Sequence, residues 1–131
     1  MAAADVIAAR QAEQASLIEL ARGFVLGLPS GLGVSAAVVV GSVARGDFNA
    51  ASDVDLLVVA SNLADSPLRR AEEIGAAPPR VEVVAWSPAD WELALRTGNP
   101  LAVEAMKLGV WLMGSQTAIE AATAVGGATR P

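Results

Sequence analysis

Two aspartates, Asp53 and Asp55, stand two positions apart at the start of an apolar run and could bind a metal ion. Alternate side chains of a β-strand leave the same face, so the two residues would have Cα atoms about 6.5 Å apart. Carboxylates this close repel each other when both are ionised, and a divalent cation between them removes the repulsion. The alternative is a polar turn in which Asp53 is a loop acid and Asp55 a solvated strand end.

A Gly-Ser pair, Gly41 and Ser42, follows the preceding apolar run and could form an anion site. Gly41 lets the backbone turn sharply, and a short helix opened by Ser42 would present N–H groups and a positive dipole end to an anion. Arg45 could add a positive charge. By itself the pair is more typical of a structural turn, and a Walker A loop is excluded because its Gly-Lys-Ser/Thr ending is absent.

The elements that must position these motifs are predicted from hydrophobic spacing and capping residues. Apolar residues near helical spacing predict an amphipathic helix over 5–26. Runs rich in β-branched residues predict strands covered on both faces, and Ser or Asn followed by Pro predicts helix starts. The expected strands are Val34–Val40, Val54–Ala60, Val81–Trp86 and 109–113; the later helices are Pro67–Ile74, 88–96, Pro100–Leu108 and 116–125, with a turn or short helix over 41–47.

The order of these elements indicates one small α/β or α+β domain over residues 1–125, followed by a disordered tail over 126–131. An uncharged stretch over 23–44 is long enough to suggest a membrane span, but Pro29, Gly31 and Gly33 divide it. We therefore expect no membrane span. No secretory signal is visible, and we expect a cytoplasmic location.

Composition excludes several kinds of site. The chain has no cysteine and no histidine, so a metal ion would be held by oxygen atoms and the usual general base is absent. The net charge is −5, the only lysine is Lys107, and the arginines are scattered. Because binding to nucleic acid depends on a basic surface, we expect no long nucleic-acid partner.

The combined pattern Gly-Ser-x-Ala-Arg-Gly-Asp, then Ser-Asp-x-Asp-Leu, resembles the signature of the DNA polymerase beta-like nucleotidyltransferase superfamily. Within it, the chain looks most like the short prokaryotic branch of minimal nucleotidyltransferases. The resemblance implies a mixed β-sheet of three to five strands packed against helices. The motif itself covers residues 41–56, and the likeness in element order covers roughly 15–114.

The resemblance also implies roles for individual residues. Gly41 and Ser42 would hold the β- and γ-phosphates of a nucleoside triphosphate. From its positive charge beside this turn, we also expect Arg45 to be a nucleotide-binding residue. The paired aspartates Asp53 and Asp55 would bind magnesium. A third carboxylate lies on a neighbouring strand in the family, and the corresponding residue here is Glu82.

Glu82 departs from the aspartate that many relatives carry at this position. In this family, the carboxylate at this position helps to activate the attacking hydroxyl through a second metal ion. The extra methylene of glutamate could misplace that carboxylate. The alternative is an exposed strand residue without a role in the site.

The activity that the resemblance implies is magnesium-dependent transfer of a nucleoside monophosphate, AMP from ATP, to a hydroxyl of a partner protein or small molecule. Relatives that act on tRNA, DNA or antibiotics usually carry extra domains, so we expect a separate chain to supply the acceptor. Minimal nucleotidyltransferases are often antitoxins paired with a helical HEPN (higher eukaryote and prokaryote nucleotide-binding) toxin. The apolar composition is compatible with such a partner and with homo- or hetero-oligomers. The alternative is a catalytically weak or inactive module that neutralises a partner by binding.

Overall fold

A four-stranded mixed sheet forms the centre of the structure, a computed structural model that describes the backbone of residues 2–129 and the side chains of residues 2–124. The strand order is β3-β2-β1-β4. Strand β1 is antiparallel to both of its neighbours, and β2 is parallel to β3. The strands are β1 (Val34–Val40), β2 (Val54–Ala60), β3 (Val81–Trp86) and β4 (Val110–Gly114).

Several of the helices begin where the sequence supplies a capping side chain. The Ser66 hydroxyl accepts a hydrogen bond from the Arg69 N–H, and the Asn99 side chain accepts one from the Leu101 N–H. Ser87 and Asp90 form a reciprocal capping box. The helices are α1 (Ala3–Leu26), α2 (Gly41–Arg45), α3 (Pro67–Ile74), α4 (Pro88–Thr97), α5 (Pro100–Leu108) and α6 (Gln116–Thr129), with a 3-10 turn at Ser30–Leu32.

Both faces of the sheet are covered by helices, which explains why the central strands are uninterrupted apolar runs. On one face, Val54, Leu56 and Val58 of β2 pack with α1. On the other, Leu57 and Val59 pack with α4, α5 and α6. Because side chains alternate along a strand, the residue preceding Leu56 belongs to the second face. Asp55 therefore lies on the side of α4, α5 and α6.

The predicted elements are confirmed, with small shifts at their ends. The short fourth strand begins at Val110 and ends at Gly114, one residue later than expected. Helix α6 runs to Thr129, beyond its expected end near Val125. Residues 130 and 131 of the expected tail lie outside the described residues, so both the disordered tail and the domain boundary stay predictions.

The uncharged stretch over 23–44 is divided as expected. It contains the end of α1, the 3-10 turn, β1 and the start of α2. Within residues 2–129, no helix has the length and apolar character needed to cross a membrane.

Candidate active site

The sheet topology brings the sequence motifs to one edge of the sheet, where β1 ends and where β2 and β3 begin. Val40, the last residue of β1, is the antiparallel partner of Asp55 near the start of β2. Asp55 is in turn the parallel partner of Glu82 near the start of β3. Adjacent strands lie roughly 4.8 Å apart, so the backbones of these residues are neighbours. We term the Gly41–Ser42 turn, Asp53, Asp55 and Glu82 the sheet-edge site.

Gly41 lies directly against the side chain of Asp55. It has a φ of +78°, and a Cβ atom added to it would collide with Oδ2 of Asp55. An L-residue with a side chain is disfavoured in this conformation, and its Cβ atom would displace the carboxylate of Asp55. The Gly-Ser pair is therefore packed directly against the second aspartate of the Asp-x-Asp motif.

Helix α2 starts at Gly41 and is only five residues long. Its N-cap residue, Val40, offers no side-chain hydrogen bond to the first turn. The other end is closed, because the Ser42 carbonyl accepts hydrogen bonds from the N–H groups of Gly46 (2.9 Å) and Asp47 (3.1 Å). The expected short helix at the Gly-Ser pair is confirmed. Its role in binding phosphate stays a prediction.

Asp55 is the electrostatic centre of the site. Partial burial raises its pKa above the ordinary value, and the negative charges of Glu82, Asp53 and Glu104 raise it further. The positive charge of Arg45 acts in the opposite direction. A cation placed among these carboxylates would relieve the repulsion.

The three predicted metal ligands differ in exposure. Asp53 and Glu82 are exposed and Asp55 is partly buried. Within the described part of the chain, no three or more Asp or Glu side chains form a group that could hold a metal ion by itself. Magnesium is usually bound through one or two carboxylates together with substrate phosphates and water. The carboxylates of this site fit that mode of binding better than an all-protein cage.

Arg45, predicted to face a nucleotide, is held by two carboxylates. Its Nε lies 3.2 Å from Oδ2 of Asp47, and its Nη1 pairs with Oε1 of Glu104 on α5. These hydrogen bonds to Asp47 and Glu104 raise the pKa of Arg45. Since only two guanidinium N–H groups are used in these pairs, others remain for a further anion.

Glu104 is a site residue that sequence reasoning missed. It pairs with Arg45 and its charge acts on Asp55, although it lies on a helix far along the chain. Leu101, three residues earlier on the same helix face, lines a small cavity with Val40, Asp55 and Glu82. In the sequence, Glu104 is a lone acid on a helix, and only the packing of α5 on the sheet identifies its neighbours.

A larger groove of about 450 Å³ lies between α3 and the edge strand β3. Its lining is mostly apolar and includes Ala71, Ile74 and Trp86. Val84 lines both this groove and the small cavity at Asp55. The groove therefore adjoins the small cavity of the sheet-edge site at Val84.

A family model described as nucleotidyltransferase domain matches residues 22–94 of the chain. That range is more than half of the sequence and includes the whole sheet-edge site. The chain belongs to the nucleotidyltransferase domain family. This membership confirms the family that the Gly-Ser and Asp-x-Asp motifs indicated, and supports a transferase activity.

Solved structures with a similar fold include a proposed nucleotidyltransferase from Sulfolobus solfataricus. It has a TM-score of 0.55 and 18% sequence identity, and the alignment covers 78% of this chain and 84% of that chain. A toxin–antitoxin structure with AMP-PNP is more distant, with a TM-score of 0.48, 19% identity, and coverage of 88% and 84%. No curated protein matches the chain. At such identities the first likeness shows the fold alone, and the second is too distant to add to it.

Proposed function

We propose that this nucleotidyltransferase domain transfers a nucleoside monophosphate, AMP from ATP, to a hydroxyl group of a partner protein. The observation that carries the proposal is the meeting of Gly41, Asp55 and Glu82 at one sheet edge, within the residues that match the family. A phosphate-sized turn packed directly against carboxylates suits a nucleotide that is bound together with a cation.

In this proposal the chain supplies binding and orientation. The N–H groups at Gly41 and Ser42 bind the β- and γ-phosphates, and Arg45 offers its remaining N–H donors to the same anion. Asp53 and Asp55 hold a magnesium ion, with Glu82 as a third carboxylate beside Asp55. Magnesium bound there would neutralise charge on the phosphates and make pyrophosphate a better leaving group.

The proposed reaction is an in-line displacement at the α-phosphorus. The acceptor hydroxyl oxygen forms a bond to the α-phosphorus, and the bond from that phosphorus to the oxygen bridging to the β-phosphate breaks. Pyrophosphate leaves with the bonding electron pair, and the hydroxyl proton passes to water. A second magnesium ion held at Glu82 would lower the pKa of that hydroxyl. Positioning and charge neutralisation supply most of the rate, so no histidine is needed.

The acceptor that we propose is a hydroxyl-bearing side chain of a protein. The apolar groove beside β3 and the position of this strand at the edge of the sheet are features that protein partners use. Following the resemblance to minimal nucleotidyltransferases, we propose a HEPN-type toxin as this partner and the present chain as its antitoxin.

The test is a transfer assay read by mass spectrometry. The protein is mixed with magnesium, each nucleoside triphosphate in turn, and a HEPN-type protein; the expected result is an AMP adduct on the partner. The double variant Asp53→Asn, Asp55→Asn should give no adduct while remaining folded. Lack of an adduct with every nucleotide, despite tight binding of the partner, would rule out the transferase proposal.

A second candidate is a module that neutralises its partner by contact alone. It is favoured by two observations: the described residues contain no ready-made group of three metal ligands, and Arg45 is already paired with Asp47 and Glu104. The double variant separates the two candidates. A contact module would still neutralise the partner after both aspartates are replaced, whereas a transferase would not.

A further inference from the structure

Arg80 has an unusual backbone conformation next to the sheet-edge site. Its φ is +74°, and it is the only residue other than glycine with a positive φ among residues 2–129. This region is unfavourable for an L-residue with a long side chain, and such strain tends to occur at functional sites. Glycine would be the residue expected at this position, immediately before β3, so the presence of arginine calls for an explanation.

The backbone of Arg80 holds the strand that carries the aspartates. Its carbonyl oxygen accepts a hydrogen bond of 2.6 Å from the N–H of Val54. Val54 lies between Asp53 and Asp55. The same residue thus joins the start of β3 to the centre of the Asp-x-Asp motif.

The side chain of Arg80 contacts Ser52, the residue before Asp53. Its Nη2 donates a hydrogen bond of 2.8 Å to the carbonyl oxygen of Ser52. Asp53 precedes the first residue of β2 and is exposed, so its own strand pairing does not orient it. Arg80 therefore bonds to the residue on each side of Asp53, once through its backbone and once through its guanidinium.

We propose that Arg80 is a positioning residue that holds Asp53 in the orientation needed for metal-dependent nucleotide binding. The inference rests on the proposed function. The backbone bond to Val54 could be made by glycine as well, so the bond from the guanidinium to Ser52 is the contact that favours arginine at this strained position. The contact of Arg80 with Glu13, at 4.0 Å between half-exposed groups, is too long and too solvated to be the reason.

The main test is Arg80→Gly, because glycine accepts a positive φ without strain. We expect the thermal stability to be unchanged or higher, while the magnesium concentration for half-maximal ATP binding rises about tenfold, as for other lost outer partners of metal ligands. A purely structural role would instead lower stability and binding together. Arg80→Lys, which keeps a donor of similar length, should recover part of the loss. Glu13→Gln is the matched control and should behave as wild type.

Hydrogen exchange gives a readout that does not depend on nucleotide. Without the guanidinium, the segment over 52–54 should exchange faster in Arg80→Gly than in the wild type, while exchange elsewhere stays the same. Arg80→Asn, which also tolerates a positive φ, replaces the glycine variant if the latter does not fold.

The outcomes separate this inference from the proposed function. Unchanged magnesium dependence and unchanged exchange at 52–54 would overturn the role of Arg80 and leave the proposed function intact. If the wild type shows no transfer and binds no ATP, the proposed function fails. In that case the exchange at 52–54 alone decides whether Arg80 holds this segment.

Discussion

Asp55 on β2 and Glu82 on β3 are register partners in a parallel pair of strands. Among the neighbouring charges, that of Glu82 raises the pKa of Asp55 most, and the adjacent positions of the two residues explain this effect. Like charges on adjacent positions of a sheet are unfavourable unless a ligand uses them. The pair therefore distinguishes this edge of the sheet from an ordinary solvated strand end.

The first prediction concerns the order of the charges around Asp55. Replacing Glu82, Asp53 or Glu104 by its amide should lower the pKa of Asp55 toward its ordinary value, with Glu82→Gln having the largest effect and Glu104→Gln the smallest. The reason is that each substitution removes a nearby negative charge. The measurement is an NMR titration of the Asp55 carboxyl carbon without added metal. Glu120→Gln, on α6, is the control, and an equal shift in this variant would contradict a local cause.

The second prediction concerns Gly41. Gly41→Ala should destabilise the fold by about 1–3 kcal/mol, because a side chain is forced into a positive φ and collides with Asp55. Gly23→Ala on α1 is the matched control, since an added Cβ meets nothing within 4 Å there. That change should stabilise the helix by about 0.5–1 kcal/mol. Denaturant unfolding measures both, and equal effects would show that Gly41 has no special constraint.

The third prediction is a pH dependence at Asp90. Partial burial pushes the pKa of Asp90 up, but hydrogen bonds from Ser87 and the Arg70 guanidinium outweigh it and hold the pKa below its ordinary value. A carboxyl with a lowered folded pKa adds stability that is fully present above its unfolded pKa, about 3.9, and is lost as pH falls through the folded pKa.

Asp90→Asn should therefore cost about 1 kcal/mol at pH 7, a modest figure because the ion pair with Arg70 is partly exposed. The difference from wild type should shrink as the pH is lowered from 5 toward about 2. Unfolding free energies across this range measure it. Asp65→Asn, an exposed acid, should show no comparable loss, and a difference that stays constant with pH would contradict the assignment to the Asp90 charge.

The fourth prediction concerns the core beneath the site. Trp91 is fully buried, packs edge-on against Trp111 with ring centroids 5.8 Å apart, and donates a 2.6 Å hydrogen bond to Gln116. Trp91→Ala should cost about 3–5 kcal/mol because it leaves a large cavity. Leu93→Ala on the same helix is the control, since this side chain is 53% exposed. Thermal unfolding of both variants provides the comparison, and similar losses would contradict a core role for Trp91.

Much of the fold was predictable because its signals are local. The apolar runs of β1 and β2 and the Ser-Pro and Asn-Pro starts of α4 and α5 depend only on neighbouring residues. The far end of α6 was not, because Gly126 and Gly127 are typical of a helix end, yet the helix continues through them to Thr129. Gly41, Asp53 and Asp55 could be recognised since they lie within one short motif.

By itself, the sequence determined the elements, the two motifs and, through them, the nucleotidyltransferase domain family, because periodicity, capping and short spacing are all read along the chain. The resemblance placed Glu82 on a neighbouring strand, and the tertiary structure added the register that makes it the direct partner of Asp55. The tertiary structure alone decided that Glu104 pairs with Arg45 and that Arg80 bonds to the residues on both sides of Asp53. These contacts join residues far apart in sequence. Strand order, register and helix packing create these contacts, and the spacing of residues along the chain does not specify any of the three.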